Sequence, residues 1–261
     1  MLCDTQNTKD EKLARILIVE DEAQMSTLLS DILSSDYTIT VVETVKHALE
    51  TSYQESPDLI LCDIKLPDGS GLKILETLKK DQLTAHIPIL VISSLNSEED
   101  IVAGLEHGAD DYISKPFANN ELLLRIKTQL ENRQRIINWC RNRLLNDNAS
   151  FNNHLPSKEQ QFLEKLKETS ETLIHAGELT IDALAREMAH SKRQLQRKVK
   201  EHLNCSCSDY IFGLRMGYAS SLNLKGYTTK EITAMVGYKD VAHFSRIFKK
   251  YLEEKETGSN E

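Results

Sequence analysis

The feature that most constrains this chain is a set of short, wholly apolar runs, each followed at once by polar or charged residues. Ile16–Val19 precedes Glu20 and Asp21, Leu59–Cys62 precedes Asp63, and Ile89–Ile92 precedes Ser93. Such runs are too short for a buried helix and suit parallel strands covered on both faces. Between them Met25, Leu28, Leu29, Ile32 and Leu33 recur at helical spacing within 22–34. Further helices are expected over 45–54, 72–83 and 98–107 and from Asn119, with strands at 38–42 and near Tyr112–Ile113. Strict alternation of five strands and five helices predicts an α/β doubly wound domain: a five-stranded parallel sheet between helices, joined by right-handed crossovers.

Ligands of such sheets bind at the carboxyl ends of the strands. Glu20, Asp21, Asp63, Ser93 and Lys115 all fall at those ends. A lone strand-end acid is ordinarily just solvated; the ordered set is what points to chemistry. Like carboxylates held close repel and shift one another's pKa, and a hard divalent cation relieves that. Mg²⁺ takes one or two carboxylates and keeps positions open for phosphate oxygens. A carboxylate beside Mg²⁺ and a lysine can attack phosphorus to give an aspartyl phosphate.

The segments ILIVEDE, LILCDIKLPDGSG, IPILVISS and GADDYISKPF resemble the CheY-like receiver domain of two-component response regulators, over about 14–130. That resemblance implies a flavodoxin-like sheet. It implies that Asp63 accepts phosphate from a histidine kinase, and that Mg²⁺ is held by Glu20, Asp21, Asp63 and the backbone carbonyl of Lys65. Ser93 would bond the phosphoryl group, Lys115 would pair with it, and Tyr112 would turn inward when Ser93 moves. Lys65 could crowd the line of attack for water and give a long-lived phosphate. Aspartyl phosphatases use a second Asp two residues after the nucleophile; Lys65 stands there, which argues against an enzyme.

Charge divides the chain. Residues 1–130 carry 11 Lys and Arg against 23 Asp and Glu, whereas 178–252 carry 13 against 7. An acidic half followed by a basic half suggests different partners. No apolar run approaches the roughly 20 residues of a membrane span, and the first residues lack a signal-peptide core. Five scattered cysteines fit a reducing compartment, so a cytoplasmic protein is expected.

From Asn119 helical spacing continues to about Leu144, and Leu123, Ile126, Leu130, Arg133, Ile137, Cys140 and Leu144 form a heptad-like stripe beside Trp139. It could pair two chains, or its first residues could simply cover the sheet. Residues 131–157 read as a helical extension and an Asn-rich linker, with Ser157 and Gln160 a helix start. Residues 158–252 then read as an all-α domain with two similar units, before an acidic tail at 253–261.

In the first unit Thr180 caps Ile181–Met188, Ala189–His190 turn, and Ser191 caps SKRQLQRKVKEHL, with Asn204 as its end. Leu195, Val199 and Leu203 face the core while Arg193, Gln196, Arg197 and Lys200 face out. In the second, Thr229 is the expected cap, Gly237 the turn, and Asp240 the cap of Val241–Leu252. There Phe244, Phe248 and Tyr251 point in and His243, Arg246 and Lys250 out. A helix over about 209–224, roughly 24 Å long, could space two reading helices about one DNA turn, ~34 Å, apart.

LTIDALAREMAHSKRQLQRKVKEHL and YTTKEITAMVGYKDVAHFSRIFKKYL resemble the two helix-turn-helix units of AraC-type transcription regulators. By that likeness Arg193, Gln196 and Arg197, with Lys200 alongside, read DNA in the first unit, and Val241, Ala242, His243 and Arg246 in the second. The family's proline after the first unit and its closing segment are absent. Cys205 and Cys207 lack a partner pair for a metal site. Together the halves imply a phosphorylation-regulated DNA-binding transcription regulator, a homodimer when phosphorylated, with double-stranded DNA, a histidine kinase and RNA polymerase as partners. The alternatives are an adaptor with a degenerate DNA domain and the tail of a longer membrane sensor kinase, against which the Met1 start argues mildly.

Overall fold

The computed structural model describes residues 13–81, 83–94, 107–145, 158–203 and 205–257; at 136–145, 158 and 254–257 only the helix itself is described. The expected helix over 98–107 apart from His107, the linker 146–157, Ser157, Asn204 and the side chains of Ile137, Trp139, Cys140 and Leu144 lie outside these.

The first half forms β1 (Arg15–Val19), α1 (Ala23–Leu33), β2 (Thr38–Val42), α2 (Val45–Glu55) and β3 (Leu59–Cys62). A small hairpin of β4 (Lys65–Leu66) and β5 (Gly69–Ser70) leads to α3 (Leu72–Lys80), β6 (Ile89–Ser93), β7 (Asp111–Ser114) and α4 (Asn119–Leu145). The main sheet has the order β2-β1-β3-β6-β7, all parallel. The apolar runs are continuous because both faces are covered. Leu17, Val19, Ile60, Cys62, Ile89 and Val91 pack under α2 and α3, with Ala48, Ile74 and Leu75. Their neighbours Ile16, Ile18, Leu59, Leu61, Leu90 and Ile92 pack under α1 and α4, with Leu29, Leu33, Leu122 and Ile126. Alternate residues of each strand thus feed two separate cores.

The second half is helical: α5 (Lys158–His175), α6 (Ile181–Glu187), α7 (Lys192–Leu203), α8 (Cys207–Leu224), α9 (Thr229–Met235) and α10 (Val241–Thr257). The central α8 is shared. Tyr210, Ile211 and Leu214 enter the first unit's core with Leu195 and Val199. Phe212, Met216, Ala219 and Leu222 enter the second with Phe244, Phe248 and Tyr251. Buried Arg215 ties the units together, donating to Leu179 O at 2.6 Å and lying 5.0 Å from the Tyr238 ring centre.

Two details differ from expectation, and a third matches one of the two readings of the α4 stripe. The cap of α9 is Thr228, not Thr229. Glu231 stands three residues after Thr228, so its carboxylate accepts from Thr228 N at 2.8 Å while its own N–H donates to the Thr228 hydroxyl. The last helix does not stop at Leu252 but runs to Thr257, because its acidic end is made of good helix formers. The long α4 packs along α8 of the same chain, while Leu123 and Leu130 lie partly buried against the sheet core.

Candidate functional site

The residues at the strand ends converge. Glu20, at the end of β1, and Asp63, at the end of β3, are both buried and share one ammonium: Lys115 Nζ lies 2.7 Å from Glu20 Oε2 and 2.5 Å from Asp63 Oδ2. Lys115 is placed by β7, and its backbone N–H donates to Ser93 O at 2.8 Å. Ser93 is fully buried at the end of β6, and Tyr112 lies in the core beside Val91. Asp21 is exposed at the mouth. Lys65 N–H donates to Asp63 Oδ1 at 3.0 Å, and the Lys65 side chain is exposed.

The loop after Asp63 is held from two sides. Asp68 accepts from Val45 N at 2.7 Å and Lys46 N at 3.1 Å, closing the start of α2 beside the Thr44 cap. Gly71 lets α3 begin directly against the site. A Cβ there would stand 2.0 Å from Asp63 O and 2.9 Å from Cys62 Sγ. Neither Asp68 nor Gly71 belonged to the set read as functional. Both occur within LPDGSG, but their contacts are long-range.

Electrostatics follow from burial. Desolvation pushes the Glu20 carboxyl up, and the Asp63 charge adds to it, against the pull of Lys115. Burial pulls the Lys115 ammonium down, but the hydrogen bonds and charges of Asp63 and Glu20 outweigh this and hold it above its ordinary value. Among the described residues no three His, Cys, Asp or Glu side chains are gathered in metal-holding geometry. Mg²⁺ needs only one or two protein carboxylates, and two here, Glu20 and Asp63, share one ammonium, with Asp21 exposed next to Glu20 in the chain. The donor set therefore fits a hard cation.

In the helical half, Arg193, Gln196, Arg197 and Lys200 are all exposed on α7, whose Ser191 start is closed by Gln194: Ser191 N–H donates to Gln194 Oε1 at 3.0 Å and Gln194 N–H to Ser191 Oγ at 3.2 Å. The second set behaves differently. Val241, Ala242 and Arg246 are exposed, but His243 is buried, its Nδ1 3.0 Å from Tyr53 O in the α/β half. Lys250 is also largely covered, by Asp58. The pattern identified the face turned away from the helical core, and that face lies on the other half of the chain. Cys205 and Cys207 are buried, and burial pushes the Cys207 thiol up to about 12.

Residues 16–127 match the family model of the response regulator receiver domain, and 184–255 match that of a helix-turn-helix domain. Over 257 residues the chain is 32% identical to a protein named Histidine kinase P4 of Formosa agariphila, covering 95% of this chain and 18% of that protein. It is 42% identical over 114 residues to the phosphate regulon transcriptional regulatory protein PhoB of Escherichia coli, covering 43% of this chain and 50% of the relative. A CheY-like receiver domain protein of Methanospirillum hungatei has a solved structure with 34% identity and a TM-score of 0.45, covering 47% of this chain and 98% of that one. The chain thus spans half or less of these curated relatives. It carries the two parts of a response regulator. They are a receiver domain and, after it, a helix-turn-helix domain of AraC type. No described helix is long and apolar enough to cross a membrane.

Proposed function

We propose that this chain is a cytoplasmic transcription regulator whose sequence-specific DNA binding is controlled by phosphorylation of Asp63. The observation that carries this reading is the Glu20–Lys115–Asp63 cluster at the carboxyl edge of the sheet, in one chain with the exposed Arg and Gln face of α7. A histidine kinase would donate the phosphoryl group. The Asp63 carboxylate attacks phosphorus and the bond to the donor nitrogen breaks. Glu20, Asp21, Asp63 and the Lys65 carbonyl would hold Mg²⁺, which supplies positive charge where the transferring oxygens gather negative charge. Lys115 would stay with the new phosphoryl group and Ser93 would bond it, a reading supported by the Lys115 contact with Asp63 Oδ2. Such a change biases a two-state domain surface, toward a homodimer in this reading. Dimerisation would raise DNA affinity by linking weak sites, and RNA polymerase would be contacted from the bound dimer.

On DNA, Arg193 and Arg197 suit guanine and Gln196 adenine in the major groove, with Lys200 on phosphate. Val241, Ala242, His243 and Arg246 would form the second reading set. The test is enrichment from a randomised duplex pool with and without beryllofluoride and Mg²⁺. One motif should emerge, be bound more tightly with the mimic, and lose that gain in Asp63→Ala. Absence of any motif in every state would overturn the reading.

A further inference from the structure

A cavity of about 20 Å³ lies where the receiver meets the helical domain. Ser56, His86 and Arg133 line it from the receiver side, and Phe212, Lys250 and Tyr251 from the other. One water needs about 10–15 Å³ of such space. The cavity therefore admits a single small sphere, with a margin for one somewhat larger than water.

Polar atoms on its walls are left over from the fold. Ser56 Oγ, His86 Nδ1 and Arg133 Nε are buried, and none has a hydrogen-bond partner among the described residues. Buried polar atoms are ordinarily satisfied by protein or by a bound particle. Ser56 ends α2 in the left-handed conformation, with φ 49°. Its N–H donates to Ser52 O, and its carbonyl accepts from Arg15 Nη2 at 3.1 Å, so the hydroxyl is what remains. Arg133 Nη1 donates to Asp58 O at 3.0 Å, and its guanidinium lies 5.5 Å from the Phe212 ring centre. The His86 ring stacks on Phe212 with centroids 3.9 Å apart, which fixes the plane of the imidazole.

The surroundings are positive. Arg15, Arg133 and Lys250 act on one another around a single carboxylate, Asp58, which pairs with Lys250 and lies 3.5 Å from Arg133. Burial, then the charges of Arg133, Lys79, His243 and Lys250, push the His86 imidazole well below its usual value. Arginine and lysine nitrogens only donate. A water among them would leave the surplus charge uncompensated, and uncompensated buried charge is costly.

We propose that this cavity is a halide site, in which one chloride ion accepts from Ser56 Oγ, Arg133 Nε and the His86 ring and offsets the surplus charge of Arg133 and Lys250. His86 takes part as the neutral ring with its proton on Nδ1. The bound ion joins side chains of the receiver to those of the helical domain. The folded chain therefore gains stability with chloride concentration by mass action. Neither the strand-end carboxylates nor the exposed face of α7 takes part.

The test compares thermal unfolding of the full chain in sodium chloride, sodium bromide and sodium gluconate at equal ionic strength. Gluconate is too large for the cavity. Either halide at about 0.2 M should raise the melting temperature by roughly 2–4 °C over gluconate. Ser56→Asp sets a tethered carboxylate at the same point, on a residue type that tolerates the left-handed backbone. It should melt higher than the wild type in gluconate and lose the halide response. A measurement without any variant is anomalous scattering from crystals of the wild-type chain grown in bromide, with a peak expected between Ser56 Oγ and Arg133 Nε. No peak there would overturn the proposal and leave the cavity to water. A peak without a halide response in melting would mark an adventitious ion only, and a response that Ser56→Asp keeps in full would place the effective ion elsewhere; either would also overturn it.

Discussion

Lys250, on the last helix, forms an ion pair with Asp58 just before β3, across 192 residues of chain. Burial alone would raise the Asp58 carboxyl, but the charges of Lys250 and Arg133 outweigh it and hold the group below its ordinary value. Removing Asp58 leaves two largely buried cations facing each other, so Asp58→Ala should cost about 3 kcal/mol in urea unfolding. Lys250→Met should cost less, because Asp58 keeps Arg133. A depressed carboxyl stabilises above the unfolded pKa, near 4, and that contribution is lost as pH falls through the folded value. The gap between wild type and Asp58→Ala should therefore close in acid.

His86 gives the domain contact a second pH dependence. It is buried against Phe212, and its pKa lies well below the usual imidazole value, first through burial and then through Arg133, Lys79, His243 and Lys250. Ser56, Ile247 and Tyr251 line a small cavity beside it. The closed form keeps the ring neutral, whereas an opened form binds a proton below about pH 6.5. Closure is thus fully stabilised above that pH and weakens as pH falls, by at most ~1.4 kcal/mol per unit. Limited proteolysis between the domains should speed up at pH 5.5 relative to pH 7.5. His86→Phe, which keeps a stacking ring, should show much less change.

Lys115 does two jobs that a variant should separate. Its ammonium sits between Glu20 and Asp63, where it competes with a divalent cation for the same oxygens. Lys115→Met should therefore bind Mg²⁺ more tightly, by roughly tenfold, while phosphoryl transfer to Asp63 slows by about 10²-fold. Fluorescence titration with Mg²⁺ and phosphorylation by a small acyl phosphate would read the two effects. Tighter metal with unchanged transfer would show that Lys115 plays no part in the chemistry.

Gly71 has no room for a side chain, because the nearest atom to its absent Cβ is backbone, Asp63 O, at 2.0 Å. Backbone cannot swing aside as a flexible side chain does. Gly71→Ala should cost about 2–3 kcal/mol by forcing α3 and the Asp63 loop apart. Phosphorylation should slow in the same variant, since the displaced carbonyl belongs to the acceptor residue. A lower urea midpoint with a normal phosphorylation rate would show that the loop moves as a rigid piece.

Different parts of the chain were legible to different degrees, for physical reasons. Doubly buried strands must be apolar throughout, so Ile16–Val19, Leu59–Cys62 and Ile89–Ile92 were plain, as was the polar set at their ends. The faces of α7 and α10 were equally plain, since an inward stripe fixes its opposite. What covers an outward face is another matter. Periodicity shows that His243 and Lys250 turn away from Phe244 and Phe248, but does not reveal Tyr53 and Asp58 waiting there. The stripe on α4 is ambiguous in the same way, since α8 of the same chain and a second chain would ask for similar residues.

Lys65 tests how long the phosphorylated state lasts. Its backbone N–H holds Asp63 Oδ1 at 3.0 Å, while its exposed side chain stands at the rim of the site. A water attacking the phosphoryl group must approach in line, opposite the Asp63 oxygen, from the solvent side where that rim lies. The long cationic side chain can screen this approach and pair with a phosphoryl oxygen, so it slows hydrolysis without being needed for transfer. Lys65→Asn keeps the backbone hydrogen bond and shortens the side chain. Dephosphorylation should then quicken by roughly tenfold, equivalent to about 1.4 kcal/mol of barrier, with the forward rate within a factor of ~2. An unchanged decay of radiolabelled protein would remove Lys65 from any role in the lifetime and leave that role to Lys115 and the burial of the site.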